Sequence, residues 1–213
     1  MTDEIHFQQI LEDAWKSNDD PSHDMAHVMR VVNSAKEISK AEKGKLEIVL
    51  PAVWLHDCVN LPKDHANRHK ASLYAADYAV QSLQHCGYTA EDLNAIHHAI
   101  EAHSFSANIE PKTLEAKIVQ DADRLDSLGA IGIARTFAVS GILKRPLFDN
   151  EDPLAKNREA NDKIYGLDHF FIKLYRIAET LHTDKAREIG HARVAFMKEF
   201  AAQIEKEVEL HKS

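Results

Sequence analysis

Three aspartates interrupt an apolar, helix-favouring stretch in the middle of the chain. Residues 119–136 read Val-Gln-Asp-Ala-Asp-Arg-Leu-Asp-Ser-Leu-Gly-Ala-Ile-Gly-Ile-Ala-Arg-Thr, with carboxylates at Asp121, Asp123 and Asp126. On a helix, Asp123 and Asp126 fall near one face, whereas Asp121 points well away. Charged side chains are rarely buried unless they are paired or bind a metal. The stretch therefore predicts that a cationic group lies close to these carboxylates.

A histidine and a His-Asp pair precede this stretch in a definite order. His27 lies in Ala-His-Val-Met-Arg-Val, and His56-Asp57 lies in Trp-Leu-His-Asp-Cys. The order His, His-Asp, Asp resembles the HD superfamily of metal-dependent phosphohydrolases, and the resemblance runs from about residue 22 to about residue 135. The Asp-Ala-Asp-Arg-Leu-Asp segment and the helical tail are similar to a bacterial branch of nucleotide pyrophosphohydrolase-like proteins.

The resemblance implies a metal site of two histidines and two aspartates: His27, His56, Asp57 and Asp123. Asp123 is preferred to Asp121 because the family pattern places the ligand directly before a basic and an apolar residue, here Arg124 and Leu125. Such a ligand set suits one divalent transition metal, with Mn the first choice and Co, Ni, Fe, Zn or Mg as alternatives. Taken alone, a histidine such as His27 or His56 is more often a buried, hydrogen-bonded side chain than a metal ligand, and it is the ordered set that favours metal binding.

Residues beside these motifs are candidates for catalysis and for contacts with the substrate. The expected substrate contacts are Lys63, Arg68, His103 and Arg124. Arg124 would also act in catalysis by stabilising charge on a phosphoryl oxygen, and Asp57 would orient the attacking water. The alternatives are a salt bridge of Arg124 to Asp121 or Asp126, and solvated loop charges for the other two basic residues. His23 is read as a residue that supports the site from outside the ligand set.

The apolar pattern of the chain is helical, and no stretch alternates as a strand does. We therefore predict an all-α fold, and the resemblance implies that it is an HD-domain helical bundle with additional C-terminal helices. The length predicts a single domain over residues 1–213, or one domain with a helical appendage. The resemblance implies a metal-site core at about 22–135, and the C-terminal helices are expected at about 163–211. The last two helices are expected over 167–182 and 184–211.

Local signals predict several boundaries. Ser22 or Asp24 caps the helix that carries His27. Pro51 either kinks the next helix or starts a second segment. A later helix begins with a capping box formed by a threonine and an aspartate, Thr89 and Asp92. Residues 144–162, rich in Pro, Asn and Asp, predict a long loop that covers the pocket as a mobile element.

Charge and cysteine usage limit the classes of partner. The formal net charge is −8 and no basic block is present, which disfavours a nucleic-acid polymer as a partner. The resemblance implies a small-molecule phosphate as the substrate, most specifically a nucleotide. Neither a signal peptide nor a membrane-length apolar run is visible, so a cytoplasmic location without a membrane partner is expected. Cys58 is expected to be a small buried residue. A homo-oligomer is left open.

The resemblance implies hydrolysis by metal-activated water. The most specific expectation is cleavage of a nucleoside triphosphate to a monophosphate and pyrophosphate. One alternative is a two-iron oxidoreductase of the HD type, for which His69, His98 and His103 would supply extra ligands. Others are a 5′-nucleotidase or phosphodiesterase of the same superfamily and a non-catalytic nucleotide-sensing domain. Metal stoichiometry separates the first two classes, and the complete ligand set argues against a non-catalytic domain.

Overall fold

The structure, a computed structural model, describes residues 3–16, 24–59, 61, 65–104 and 106–210. Throughout these ranges the regular secondary structure is helical, as predicted. The chain divides into two compact units, Met1–Asp123 and Arg124–Ser213. The expectation that the whole chain acts as one domain stays a prediction.

The first unit contains helices α1 (Glu4–Trp15), α2 (Met25–Glu42), α3 (Leu46–Leu55), α4 (Ala71–Leu83), α5 (Ala90–Glu101) and most of α6 (Leu114–Leu125). A short 3-10 turn, Arg68–Lys70, precedes α4. Asp24 caps α2, with its carboxylate accepting from the His27 backbone N–H at 2.7 Å. Thr89 and Asp92 form the predicted capping box of α5. Ser22, the other candidate cap, lies outside the described residues.

The helix α3 is the centre of the first unit. Its residues from Ile48 to Leu55 are all buried, as expected for a helix that is apolar on every side. The helices α1, α2, α4 and α5 all pack against it. Pro51 lies inside α3 and therefore does not start a separate helix. His56 and Asp57 follow directly at its carboxyl end, so a helix that is buried from Ile48 to Leu55 carries the His-Asp pair.

The second unit contains α7 (Gly129–Ile142), a π-helical turn (Phe170–Leu174), α8 (Tyr175–Ile177), a 3-10 turn (Ala178–Thr180) and α9 (Asp184–Leu210). The helix predicted over about 167–182 is confirmed in its main part, because the backbone is helical without a break over residues 168–180. A π-helical turn and a final 3-10 turn, which were not predicted, interrupt its α-helical geometry. Tyr175 contacts two aromatic rings, with ring centroids 6.2 Å from Phe170 and 5.7 Å from Phe171. The π-helical turn places the rings of Phe170 and Phe171, which are adjacent in sequence, against the ring of Tyr175.

Residues 144–162 contain no helix, as predicted, but they are held by a polar network. Arg158 donates to both carboxylate oxygens of the buried Asp168, at 2.6 and 2.8 Å. Its guanidinium also lies 4.6 Å from the centre of the Tyr165 ring. Asp152 accepts from two backbone N–H groups within the segment, those of Lys156 and Asn157. These contacts connect the segment to the rest of the second unit, and its role as a mobile cover stays a prediction.

Across the described ranges, no single helix combines the length and the apolar character needed to cross a membrane, although α6 and α7 taken together meet both requirements.

Candidate functional site

Three helices of the first unit bring the four predicted metal ligands together. His27 lies in the first turn of α2, the His-Asp pair follows α3, and Asp123 lies near the end of α6. His27 Nε2 is 3.5 Å from Asp123 Oδ1 and 3.8 Å from Asp57 Oδ2. His56 Nε2 is 3.4 Å from Asp57 Oδ2 and 3.8 Å from Asp123 Oδ1. Two ligands of one ion, each bound at about 2.1 Å, are about 3.0–3.4 Å apart, so small movements would close this group on an ion.

His56 presents a buried acceptor to this group. Its Nδ1 lies 2.8 Å from the carbonyl oxygen of Val53, which can only accept, so the ring proton is on Nδ1. Its Nε2 is buried and has no hydrogen-bond partner among the described residues. Burial lowers the pKa of His56, against the opposing charge of Asp57, and keeps the ring neutral. A buried acceptor without a partner costs about 1–3 kcal/mol, and a metal ion at Nε2 would satisfy it.

The chemistry and exposure of the donors fit a catalytic ion. In the part of the chain that the structure describes, His27, His56 and Asp57 form one group whose possible ligand atoms all lie within 4.8 Å of one another. The two histidine rings are buried, whereas the side chains of Asp57 and Asp123 are 18% and 29% exposed. An ion held there could keep positions for water and substrate on the carboxylate side.

His103 lies beside the opposite oxygen of Asp57. Its Nε2 is 3.5 Å from Asp57 Oδ1, and its ring packs edge-on against His56 with centroids 4.9 Å apart. Its Nδ1 donates to the carbonyl oxygen of Ile100 at 2.6 Å. Burial by itself would lower the pKa of His103, but the hydrogen bond and charge of Asp57 outweigh burial and raise it. His103 thus turns inward, while its contact with the substrate stays a prediction.

The other predicted substrate contacts donate hydrogen bonds to protein oxygens or fall outside the described residues. Arg68 donates to the carbonyl oxygen of Leu61. Arg124 donates to the carbonyl and hydroxyl oxygens of Thr180, at 3.0 and 3.1 Å. Lys63 and His23 lie outside the described residues. The substrate roles of Lys63, Arg68 and Arg124 stay predictions.

The additional histidines of the two-iron alternative are placed differently. His98 Nδ1 lies 3.2 Å from Glu101 Oε1, and its Nε2 accepts the backbone N–H of Lys112 at 3.0 Å. Because both ring nitrogens are engaged, His98 would have to break a hydrogen bond in order to bind a metal. His69 lies exposed on the 3-10 turn before α4. These positions weaken the two-iron alternative.

Cys58 is a buried thiol, as predicted. Its Sγ donates to the carbonyl oxygen of Ala75 at 3.5 Å. Burial and the neighbouring Asp57 raise its pKa to about 12, so the thiol keeps its proton. A protonated thiol is not a metal ligand.

Two side chains that support the site are absent from the sequence-based prediction. The indole Nε1 of Trp15 donates to the carbonyl oxygen of Asp57 at 3.1 Å, across 42 positions of sequence. The amide of Gln120 donates to the carbonyl oxygen of Ala102 at 2.6 Å and so links α6 to the residue before His103. No sequence pattern pairs Trp15 with Asp57. Gln120 had a weak signal, since it lies three residues before Asp123 in an apolar run.

Comparisons with known proteins place this arrangement in a family. Residues 25–128 match the HD domain. The chain is 34% identical over 205 residues to the uncharacterized protein YpgQ of Bacillus subtilis, covering 94% of this chain and 89% of YpgQ. The crystal structure of YpgQ in complex with ADP matches with a TM-score of 0.71 and 30% identity, covering 97% of both chains.

A crystal structure of an HD-superfamily hydrolase from Bacillus thuringiensis matches with a TM-score of 0.75 and 28% identity, covering 96% of this chain and 95% of that one. The matched family agrees with the ordered motifs and confirms the predicted superfamily, while the pyrophosphohydrolase branch stays a prediction. The chain belongs to the HD-domain superfamily.

Proposed function

We propose that this chain is a divalent-metal-dependent phosphohydrolase that cleaves a nucleoside triphosphate to a nucleoside monophosphate and pyrophosphate. The observation that carries the proposal is the buried Nε2 of His56, which has no hydrogen-bond partner in the part of the chain that the structure describes and which faces the carboxylates of Asp57 and Asp123. A cation at this position would satisfy the imidazole and offset both carboxylates. The similarity to YpgQ, whose crystal structure contains ADP, supports a nucleotide as the substrate.

The proposed ligands are His27, His56, Asp57 and Asp123, with Mn as the first choice of metal. When bound, a divalent metal supplies Lewis-acid activation of water and of a phosphoryl oxygen. The net charge of −8 would repel a polyphosphate, so the protein needs this local positive charge to hold its substrate.

The two carboxylate oxygens of Asp57 face different histidines. Its Oδ2 faces His27 and His56, and its Oδ1 faces His103. In the proposed reaction, Asp57 orients the attacking water. The water oxygen bonds to the α-phosphorus while the bond from that phosphorus to the oxygen bridging the β-phosphorus breaks. Pyrophosphate leaves with the bridging oxygen, and the proton released by the water passes to solvent.

Basic side chains stabilise the charge that develops on the phosphoryl oxygens. Arg124 is the principal candidate because it directly follows Asp123. A guanidinium carries five N–H donors, so the bonds of Arg124 to Thr180 do not by themselves prevent a phosphoryl contact. His103, Arg68 and Lys63 are the further candidates of this class.

Phosphorus NMR of the products tests the proposal. Each nucleoside triphosphate of a panel is incubated with the full chain and Mn²⁺ in water enriched in ¹⁸O, with His56→Ala as the control. The expected products are pyrophosphate and a monophosphate that carries the ¹⁸O label, because water attacks the α-phosphorus. Sequential release of orthophosphate would exclude the pyrophosphohydrolase but keep a phosphohydrolase. No turnover of any phosphate ester with Mn²⁺, Co²⁺ or Ni²⁺, together with two bound irons, would favour the oxidoreductase.

A further inference from the structure

The helix α1 lies before the residues that match the HD domain, yet it reaches the His-Asp pair. The match begins at residue 25, whereas α1 spans Glu4–Trp15. At its carboxyl end, Trp15 Nε1 donates to the Asp57 carbonyl oxygen at 3.1 Å. At its amino end, Glu4 accepts from Trp54 Nε1 at 3.2 Å and pairs with Lys36 at 2.7 Å. Two indole N–H groups therefore attach α1 to the centre of the unit, one at each end.

Apolar packing holds α1 against α3, and the two indole hydrogen bonds fix the orientation of α1. The buried face of α1 consists of Phe7, Ile10 and Leu11, and the helix packs against α3. Because this face is apolar, it provides no donor for backbone oxygens beyond the end of α3. Trp15, at the last position of α1, provides such a donor for Asp57.

Three hydrogen bonds between described residues contribute to holding the backbone around Asp57. The Val53 carbonyl oxygen accepts from the His56 ring at 2.8 Å, and the Leu55 carbonyl oxygen accepts from the Cys58 N–H at 3.1 Å. Both of these bonds are local. The third bond, from Trp15, comes from a different helix and ties the Asp57 peptide to the rest of the unit.

We propose that Trp15 is a positioning residue of the metal site, which holds the Asp57 peptide so that its carboxylate points toward His27 and His56. The carbonyl group and the side chain of Asp57 are both attached to its Cα. Without the bond from Trp15, a backbone movement that shifts this Cα would displace the carboxylate together with the carbonyl group. Groups that orient metal ligands typically change affinity or activity by about 10–100-fold when they are removed. The inference rests on the proposed function in one respect, which is that Asp57 binds the metal.

The chain offers a matched pair of substitutions. Trp15→Phe removes the N–H that bonds to Asp57 and keeps an aromatic ring on α1. Trp54→Phe removes the same type of N–H from the same helix pair, but this donor bonds to Glu4 at the other end of α1. General loosening of α1 against α3 would therefore affect both variants, whereas misdirection of Asp57 would affect only Trp15→Phe.

Mn²⁺ affinity of the full chain, measured from the EPR signal of free Mn²⁺, is the deciding quantity, with the Tm of each metal-free variant alongside. Trp15→Phe is expected to bind Mn²⁺ about 10–100-fold more weakly than wild type, and Trp54→Phe to bind it as wild type does. Excess Mn²⁺ should restore the turnover of Trp15→Phe. Unchanged affinity in Trp15→Phe, or equal weakening in both variants, would overturn the inference alone. A wild-type chain that binds no Mn²⁺ would instead overturn the proposed function, and this inference with it.

Discussion

The Nδ1 atom of His56 lies 2.8 Å from the carbonyl oxygen of Val53, one turn earlier on the central helix. This local bond fixes the proton on Nδ1 and directs the lone pair of Nε2 into the group of carboxylates. A metal-binding histidine generally needs such a partner, which sets its tautomer and its orientation. Here the backbone of α3 itself is the partner, so correct folding of the helix orients His56 for its proposed role as a ligand.

The two aspartates at either side of Ala122 should differ in their effect on the metal. Asp121 is fully buried, whereas Asp123 is partly exposed and lies 3.5 Å from His27 Nε2. We predict that Asp121→Asn weakens Mn²⁺ affinity by about 10–100-fold, as loss of an orienting group does, and that Asp123→Asn removes tight binding. Isothermal titration with Mn²⁺ measures both. The reverse order of severity would move the ligand from Asp123 to Asp121.

Arg124→Ala should lower kcat by about 100-fold and leave the metal content unchanged, because its proposed role is with the phosphoryl oxygens. Arg135→Ala is the matched control, since Arg135 pairs with Asp126 at 2.7 Å and has no proposed role in catalysis. Thr180→Val removes the hydroxyl oxygen that accepts a hydrogen bond from Arg124 and leaves the positive charge of Arg124 in place. Steady-state kinetics and metal analysis on the same preparations decide the matter. Loss of metal in Arg124→Ala, or an equal loss of rate in Arg135→Ala, would contradict the assignment.

Residues 144–162 should contribute to stability more than to substrate binding. Arg158→Ala would leave the Asp168 carboxylate buried without its guanidinium, and we expect the free energy of unfolding to fall by about 3 kcal/mol. Lys156→Ala, which removes an exposed pair with Glu205, should change stability little. Urea denaturation measures the difference. A changed KM for the nucleotide with unchanged stability in Arg158→Ala would instead support the interpretation of this segment as a mobile cover.

Activity should follow the chemistry of the ligand set. Imidazole and carboxylate donors favour transition metals over Ca²⁺, so a chelated, inactive preparation should regain hydrolysis with Mn²⁺, Co²⁺ or Ni²⁺ more fully than with Ca²⁺. Initial rates after re-addition of each metal provide the comparison. Full activity in the presence of excess chelator, with the metal shown to be absent, would contradict metal dependence.

The sequence predicted the site where local motifs carry the information. The ordered motifs at His27, His56-Asp57 and Asp123 indicated a shared cluster, and the capping box at Thr89 indicated where α5 begins. The support from Trp15 was not predictable, because hydrogen bonds between residues distant in sequence depend on how the helices pack.

Other features of the fold show the same limit. The composition of 144–162 indicated the absence of helix but not the pairing of Arg158 with Asp168 that closes the segment. The helix that includes Phe170–Leu174 and Ala178–Thr180 was predicted, but its π-helical and 3-10 turns were not, because local propensity indicates helix without distinguishing these forms, and the aromatic rings pack at the π-helical turn. Tertiary packing overrides local propensity in such segments.

Metal content of the wild-type chain and of Asp57→Ala and Asp123→Ala tests the proposed site most directly. Purified proteins are saturated with Mn²⁺, desalted and analysed by mass spectrometry of the elements, with His98→Ala as the control because both nitrogens of His98 are engaged elsewhere. We predict one ion per chain in wild type and His98→Ala, and none retained in either aspartate variant, with hydrolysis lost in parallel. Full metal in both aspartate variants would contradict the ligand assignment, and two irons per chain in the protein as purified would contradict a single-metal hydrolase.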